Sequence, residues 1–188
     1  MERNTANRER ADQLLVVRCQ LGERAAFDDL IQRWSGSLRR YALKLADDPV
    51  LADDLTQDVW LRAIQGLGKL REAAHFRPWL FGIAHRTFMD RLRVRYAMPM
   101  DTGMDMEEIA AAEEIGFDLN VERALATSMA GLPIVEREVL TLFYLEELSL
   151  ADIAGALGIP AGTVKSRLFR ARTLLRKETL LEEAFHGQ

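Results

Sequence analysis

Six residues in one short stretch, Thr163, Lys165, Ser166, Arg167, Phe169 and Arg170, are of the types that hold and read a nucleic-acid duplex. Lysine and arginine bring charge to phosphates, hydroxyls and the guanidinium fork reach base edges, and a phenyl ring suits a thymine methyl better than water. A second group lies upstream. Lys69, Arg71, Arg77, Arg86, Arg91, Arg93 and Arg95 face only Glu72 and Asp90, and Phe76, Trp79, Phe81, Phe88 and Tyr96 are interleaved with them. Cations mixed with rings are what single-stranded nucleic acid requires, because bases stack on π faces while phosphates need charge. No nucleophile–base pair, metal-ligand cluster or glycine-rich phosphate loop accompanies them, so neither an enzyme nor a cofactor is expected. His75 and His85 lack the partners of a zinc site, and no metal is expected there.

The elements that must position the first group are two short helices around a tight turn, Ser149 to Arg176. Ser149 can cap the first through its hydroxyl, with Asp152 three residues on reaching back to the free backbone donors. Ile153, Ala154 and Leu157 give that helix an apolar stripe. Gly158 stands where a left-handed backbone is cheapest, and Pro160 presets the next helix. In the second helix Val164, Leu168, Ala171 and Leu175 recur at steps of four, three and four, which makes one buried face at about 100° per residue. Gly162, Ser166, Phe169, Arg170 and Thr173 fall opposite, with Lys165, Arg167 and Arg172 on the flanks where phosphates would lie. An amphipathic helix with a solvated basic face would show the same stripe, and Phe169 argues against it.

The second group sits in a longer helical region. A first helix is expected from Ala11 to about Leu21, closed by Gly22, and a second from about Arg24 to Leu45 with Phe27, Leu30, Ile31, Trp34, Leu38, Tyr41 and Leu45 as its core stripe. Residues 50–67 form the next, with Leu51, Leu55, Val59, Ala63 and Leu67 inward and Asp54, Gln57, Asp58 and Leu61 on other faces. From pattern alone that outer surface reads as solvated. After Gly66 and Gly68, the Trp79, Leu80, Ile83, Ala84 stripe places Trp79 in a core. His75 and Phe76, in the loop before Pro78, are expected to be free to touch a base.

Residues 97–120 read as an acidic linker, with a short helix possible around Met106 to Ile115, and the domain boundary falls there. Beyond it, a helix with Leu125 and Met129 stops at Gly131-Leu132-Pro133. Another from Ile134 to Leu145 carries Val135, Val139, Leu142 and Phe143. With the two-helix motif these make a four-helix domain, and KETLLEEAFHGQ extends the last helix or frays. The fold expected is therefore all-α: two small helical domains joined by an acidic linker, the C-terminal one containing a helix-turn-helix.

The formal net charge of -4 over 188 residues would argue against nucleic acid if it were evenly spread. It is not, because Asp101, Asp105, Glu107, Glu108, Glu113, Glu114, Asp118 and Glu122 sit together without a lysine or arginine between them. The lone Cys19 has no partner for an internal disulfide, which suits a reducing cytosol. The N-terminus lacks an apolar signal core and no stretch approaches the roughly 18 apolar residues of a membrane span. A cytoplasmic protein is expected.

Two blocks in this order, DDLTQDVWLRA with FRPWLFGIAHRTFMDRLR, then LPIVEREVLTLFYLEELSLADIAGALGIPAGTVKSRLFRAR, resemble a bacterial RNA polymerase sigma factor of the extracytoplasmic-function (ECF) group of the sigma-70 family. The resemblance covers about residues 10–96 and 122–177. It implies a region 2-like domain over 1–96, a linker over 97–120 and a region 4-like helix-turn-helix domain over 121–188. It also implies roles. Asp54, Gln57, Asp58 and Leu61 resemble the surface that docks on core RNA polymerase. Arg71, His75, Phe76, Arg77, Arg86, Asp90 and Arg93 lie in a loop and helix that resemble the part that melts and reads the minus-ten element as single strand. Thr163, Lys165, Ser166, Arg167, Phe169 and Arg170 resemble the reader of the minus-thirty-five element as duplex. One departure is Arg86, in IAHR, where many members have asparagine; an extra cation there would strengthen a phosphate contact or alter base preference. Such factors are commonly held inactive by an anti-sigma factor, and one is expected here, either soluble or membrane-anchored. The rival readings are a helix-turn-helix regulator that binds duplex DNA without joining the polymerase, and an adaptor that sequesters a partner.

Overall fold

The computed structural model describes residues 2–96, 129 and 131–186, with side chains for 7–93, 129 and 131–177. All regular structure among them is helical. The chain divides into two compact units, the first carrying α1–α4 and the second α5, α7 and most of α6.

In the first unit α1 spans Glu2–Gln20, α2 Arg24–Ala46, α3 Pro49–Gly66 and α4 Phe76–Tyr96. Helix α1 begins at Glu2 rather than Ala11, because its polar first half is built of residues that tolerate a helix but offer no apolar period to detect. Gly22, at φ 86°, turns the chain out of α1. The Arg18 guanidinium pairs with Glu23 across that turn. Asp48 caps α3 by accepting from the backbone N–H of Val50 at 3.0 Å and Leu51 at 3.2 Å, with Pro49 as the first helical residue.

Apolar residues at three- and four-residue steps then fill one core. Leu30, Trp34, Leu38, Tyr41 and Leu45 of α2 meet Leu55, Val59 and Ala63 of α3 and Leu80, Phe81, Ala84 and Phe88 of α4, all buried. Its centre is aromatic. Trp34 meets Phe76 and Phe81 edge-on at ring-centroid distances of 6.0 and 6.3 Å, and Tyr41 meets Phe81 at 5.5 Å. Two buried polar groups are partnered across helices: Asp12 accepts from Trp34 Nε1 at 3.2 Å and pairs with Arg33 at 2.5 Å, and Trp60 Nε1 donates to Ser35 Oγ at 2.9 Å. Between α3 and α4 the chain makes two 3₁₀ turns, Leu67–Lys69 and Ala73–His75. Gln20 holds the first by donating to the carbonyls of Leu67 at 3.0 Å and Leu70 at 2.8 Å.

The second unit holds α5 (Ile134–Leu140), a π turn (Thr141–Leu145), all but the last three residues of α6 (Leu150–Leu157) and α7 (Ala161–His186). The single helix expected over Ile134 to Leu145 thus widens in its second half. Helix α7 packs on α5 and continues through the terminal residues as far as His186. Met129, Leu132, Val139, Leu140, Leu142, Leu148 and Ile153 are buried with the α7 stripe. The helices expected around Met106 and Leu125 lie outside the described residues. Among the described residues no helix is long and apolar enough to cross a membrane.

Two outcomes follow. Gly158 sits at φ 68° with open space around its α-carbon, so the cost of a side chain there is conformational. Gly158→Ala should lower stability by about 1–2 kcal/mol in urea unfolding, whereas Gly162→Ala, in ordinary helical backbone, should change it far less. Cys19 is buried, and burial pushes its thiol pKa up. Alkylation of the native protein at neutral pH should therefore be slow and become fast on unfolding.

Candidate nucleic-acid interface

The helix-turn-helix is fixed by its caps. Ser149 Oγ accepts from the Asp152 N–H at 3.1 Å and donates to the Asp152 carboxylate at 2.7 Å, so α6 starts where the hydroxyl ends the orphan donors. Asp152 thereby reaches the hydroxyl of the capping residue. Gly158 in the left-handed region closes α6, its N–H returning to the Ala154 carbonyl. Helix α7 then starts directly after Pro160.

Val164, Leu168, Ala171 and Leu175 are buried, as their spacing requires. That places Gly162, Lys165 and Phe169 in solvent, with Thr163, Ser166, Arg167, Arg170 and Thr173 half-buried around them. Phe169 is 49% exposed, an apolar ring held out on a polar face. The Ser166 hydroxyl donates to the Thr163 carbonyl at 3.0 Å, which leaves its lone pairs free to accept. Arg170 Nη1 lies 3.8 Å from the Glu136 carboxylate of α5. Arg172 departs from its expected place among the phosphate contacts. Its guanidinium lies over the Tyr144 ring at 5.7 Å, and its Nε and Nη2 are buried, because the residue after the Ala171 knob points back toward the π turn.

In the first unit Asp54, Gln57 and Leu61 are exposed on one face of α3, at steps of three and four. Asp58, on the same face, is half-buried because Arg91 of α4 grips it; that hydrogen bond and charge raise the Arg91 pKa above its ordinary value. Asp90 is held likewise, 3.2 Å from Arg62 and 3.5 Å from Arg93. Such part-exposed pairs contribute little to stability, so their charges remain available to a partner. Leu61 is 61% exposed and Ile64, three residues on, 43%. Ile64 falls outside the Leu55, Val59, Ala63 register, which turns it outward.

Of the residues expected to face melted DNA, Arg71, His75, Arg86, Asp90 and Arg93 are exposed. His75 Nδ1 lies 3.1 Å from Glu72. Phe76 is a correction. It is 1% exposed, its ring between Trp34 and Trp79, so it is not presented to a base. The 3₁₀ turn Ala73–His75 feeds straight into α4 with Phe76 as the first helical residue, which swings the ring inward. Trp79, expected in the core, is only half-buried. Arg77 is half-buried too, its guanidinium over the Trp34 ring at 5.5 Å and 3.8 Å from Glu9, so it braces the loop from beneath.

A capped helix-turn-helix with a cationic, ring-bearing outer face, in a chain whose other helical unit carries arginines around an exposed loop, defines a DNA-binding protein. The comparisons narrow the class. The Sigma-70 region 2 family model matches residues 30–97 and the Sigma-70 region 4 model residues 122–175. The RNA polymerase sigma-H factor of Pseudomonas aeruginosa is 32% identical over 187 residues, covering 92% of this chain and 97% of that protein. The ECF RNA polymerase sigma factor SigM of Mycobacterium tuberculosis is 35% identical over 170 residues, covering 90% and 85%. Among solved structures, CnrH in complex with the cytosolic domain of CnrY superposes with a TM-score of 0.61 at 25% identity, covering 92% of this chain and 97% of that one. The sigma factor RpoE in complex with the anti-sigma factor NepR from Bartonella quintana gives 0.60 at 28% identity, covering 80% and 94%. The chain belongs to the extracytoplasmic-function group of the sigma-70 family of RNA polymerase sigma factors. It is accordingly a specificity subunit of transcription initiation and not an enzyme, which decides against the regulator and the adaptor.

The burial of Phe76 sets a test. Phe76→Ala should cost about 3–5 kcal/mol of stability in denaturant unfolding, as a core deletion does; a ring whose role was base stacking would leave the unfolding midpoint unmoved.

Proposed function

We propose that the unit carried by residues 1–96 docks on core RNA polymerase through Asp54, Gln57, Asp58 and Leu61, with Ile64 extending the apolar part of that face. The same unit captures the melted minus-ten element through Arg71, His75, Arg86, Asp90 and Arg93. Residues 97–120 serve as an acidic linker, and the domain over 121–188 reads the minus-thirty-five duplex through Thr163, Lys165, Ser166, Arg167, Phe169 and Arg170. The observation that carries the reading is the outer face of α7: cations and a 49% exposed phenyl ring on the side opposite a fully buried stripe.

The work divides by chemistry. Lys165 and Arg167 neutralise phosphates and fix the register of the helix, while Ser166, Phe169 and Arg170 meet base edges. On the melted strand, cations follow the backbone and exposed bases are captured as they leave the stack. Bond formation belongs to the polymerase. Eight acids between Asp101 and Glu122 hold down the affinity of the free protein for DNA, so that binding is strong only when the polymerase adds its own contacts. CnrH and RpoE were each solved with a bound protein, the latter an anti-sigma factor, and a protein of that kind, soluble or membrane-anchored, controls this chain in the cytoplasm.

Transcription from a promoter library by purified bacterial core polymerase, with and without the protein, tests this. New start sites that share a two-part upstream motif are expected; no binding to core polymerase and no new start sites would sink it. Within that assay Arg170→Ala should cost about 1–3 kcal/mol at one base position and relax preference there, and Lys165→Ala should weaken all promoters alike and lower the salt slope by about 1. Asp58→Asn should weaken polymerase binding while leaving the fold within about 1 kcal/mol.

A further inference from the structure

Glu136 lies in the first turn of α5 beneath α7, and its side chain is 6% exposed. The helix dipole favours an acid at that end. It does not account for the rest of the environment. One carboxylate oxygen, Oε2, is buried without a hydrogen-bond partner among the described residues, and the other faces Arg170 Nη1 at 3.8 Å. A carboxylate taken out of water for a single long ion pair is a poor source of stability, since desolvation offsets the attraction. The partner is also unusual. Arg170 belongs to the outward half of α7, beside Phe169 and one turn after Ser166, and its side chain remains 39% exposed.

We propose that Glu136 is a positioning residue for base recognition by Arg170. The acid draws one edge of the guanidinium toward α5 and leaves the other edge of the planar fork directed outward. A free arginine loses much rotamer freedom when it settles on a base. One already drawn toward a fixed acid loses less, and its outward donors match the two acceptors, O6 and N7, of a guanine in the major groove. Glu136 therefore touches no DNA and sets base preference at the one position Arg170 reads. The inference rests on the assignment of Arg170 to the minus-thirty-five duplex.

The experiment uses the full chain with core polymerase and a promoter library randomised over the upstream element, and compares the wild type with Glu136→Gln, Arg170→Ala and the double variant. Glutamine keeps the shape and removes the charge. The expected result for Glu136→Gln is a loss of discrimination, about three- to tenfold, confined to the position that Arg170→Ala also affects. The salt slope should stay unchanged, because no phosphate contact is lost, and the double variant should be no worse than Arg170→Ala alone. A merely structural acid would lower use of all promoters together, and that result overturns the proposal. So does intact discrimination in Glu136→Gln. If Glu136→Gln fails to fold, shown by loss of its helical circular dichroism, Glu136→Asp replaces it: with the charge kept and withdrawn by one methylene, the same single-position loss is expected, and undiminished discrimination overturns the proposal. If Arg170→Ala itself leaves every position unchanged, the assignment of the α7 face fails and the proposal falls with it, an outcome distinct from one in which only the Glu136 variants are silent.

Discussion

The second unit depends on one constraint, that a helix can bury only one side of itself against its neighbours. Val164, Leu168, Ala171 and Leu175 leave water almost completely, and at about 25 cal/mol for each Å² of apolar surface covered their burial favours one orientation of α7. No reading of DNA enters into that burial. Yet it settles which residues face outward, because a helix rotated by one residue would expose the stripe and bury Lys165. The presentation of Phe169 and Arg170 is thus a by-product of packing. The turn before α7 serves the same end: Ser149 and Asp152 fix where α6 begins, and the left-handed Gly158 fixes where it stops, so α7 meets α5 at a set angle.

The first unit solves a different problem with the same means. It must expose arginines along a loop and helix while keeping the aromatic residues among them from collapsing that loop. The rings do so by going inside: Phe76, Phe81 and Phe88 join Trp34 and Tyr41 in the core, and Arg77 lies over Trp34 as a lid. Gln20 holds the neighbouring turn by two carbonyls. What remains outside is charge. Asp58 with Arg91, and Asp90 with Arg62 and Arg93, join α3 to α4 through pairs exposed enough to exchange partners at little cost. A surface of that kind keeps the charges of both helices within reach of solvent.

Charge distribution links these surfaces to the whole chain. A net charge of -4 hides a basic second helix-turn-helix element and a basic loop behind a run of acids between Asp101 and Glu122. The damping of free-protein binding proposed for those acids is an advantage to a specificity subunit, since the genome offers a vast excess of wrong sites.

Much of this was legible in the residues themselves. Helical periodicity marks α2, α3 and the α7 stripe because burial must follow 3.6 residues per turn, and Ser149, Gly158 and Pro160 mark the turn because each carries a backbone preference no neighbour can override cheaply. The motifs of both domains are local in sequence, so the family could be read from them. What the sequence did not determine was which of several similar groups goes inside. Phe76 and Trp79 are both rings at the start of a helix, and only the direction in which the 3₁₀ turn enters α4 buries the first and leaves the second half-exposed. Arg172 and Arg170 are both cations on α7, and only the position of Tyr144 and Glu136 on another element ties one to a ring and the other to a buried acid. Local chemistry is written along the chain, whereas a residue's partners come from segments far away in it, and only the tertiary structure brings them together.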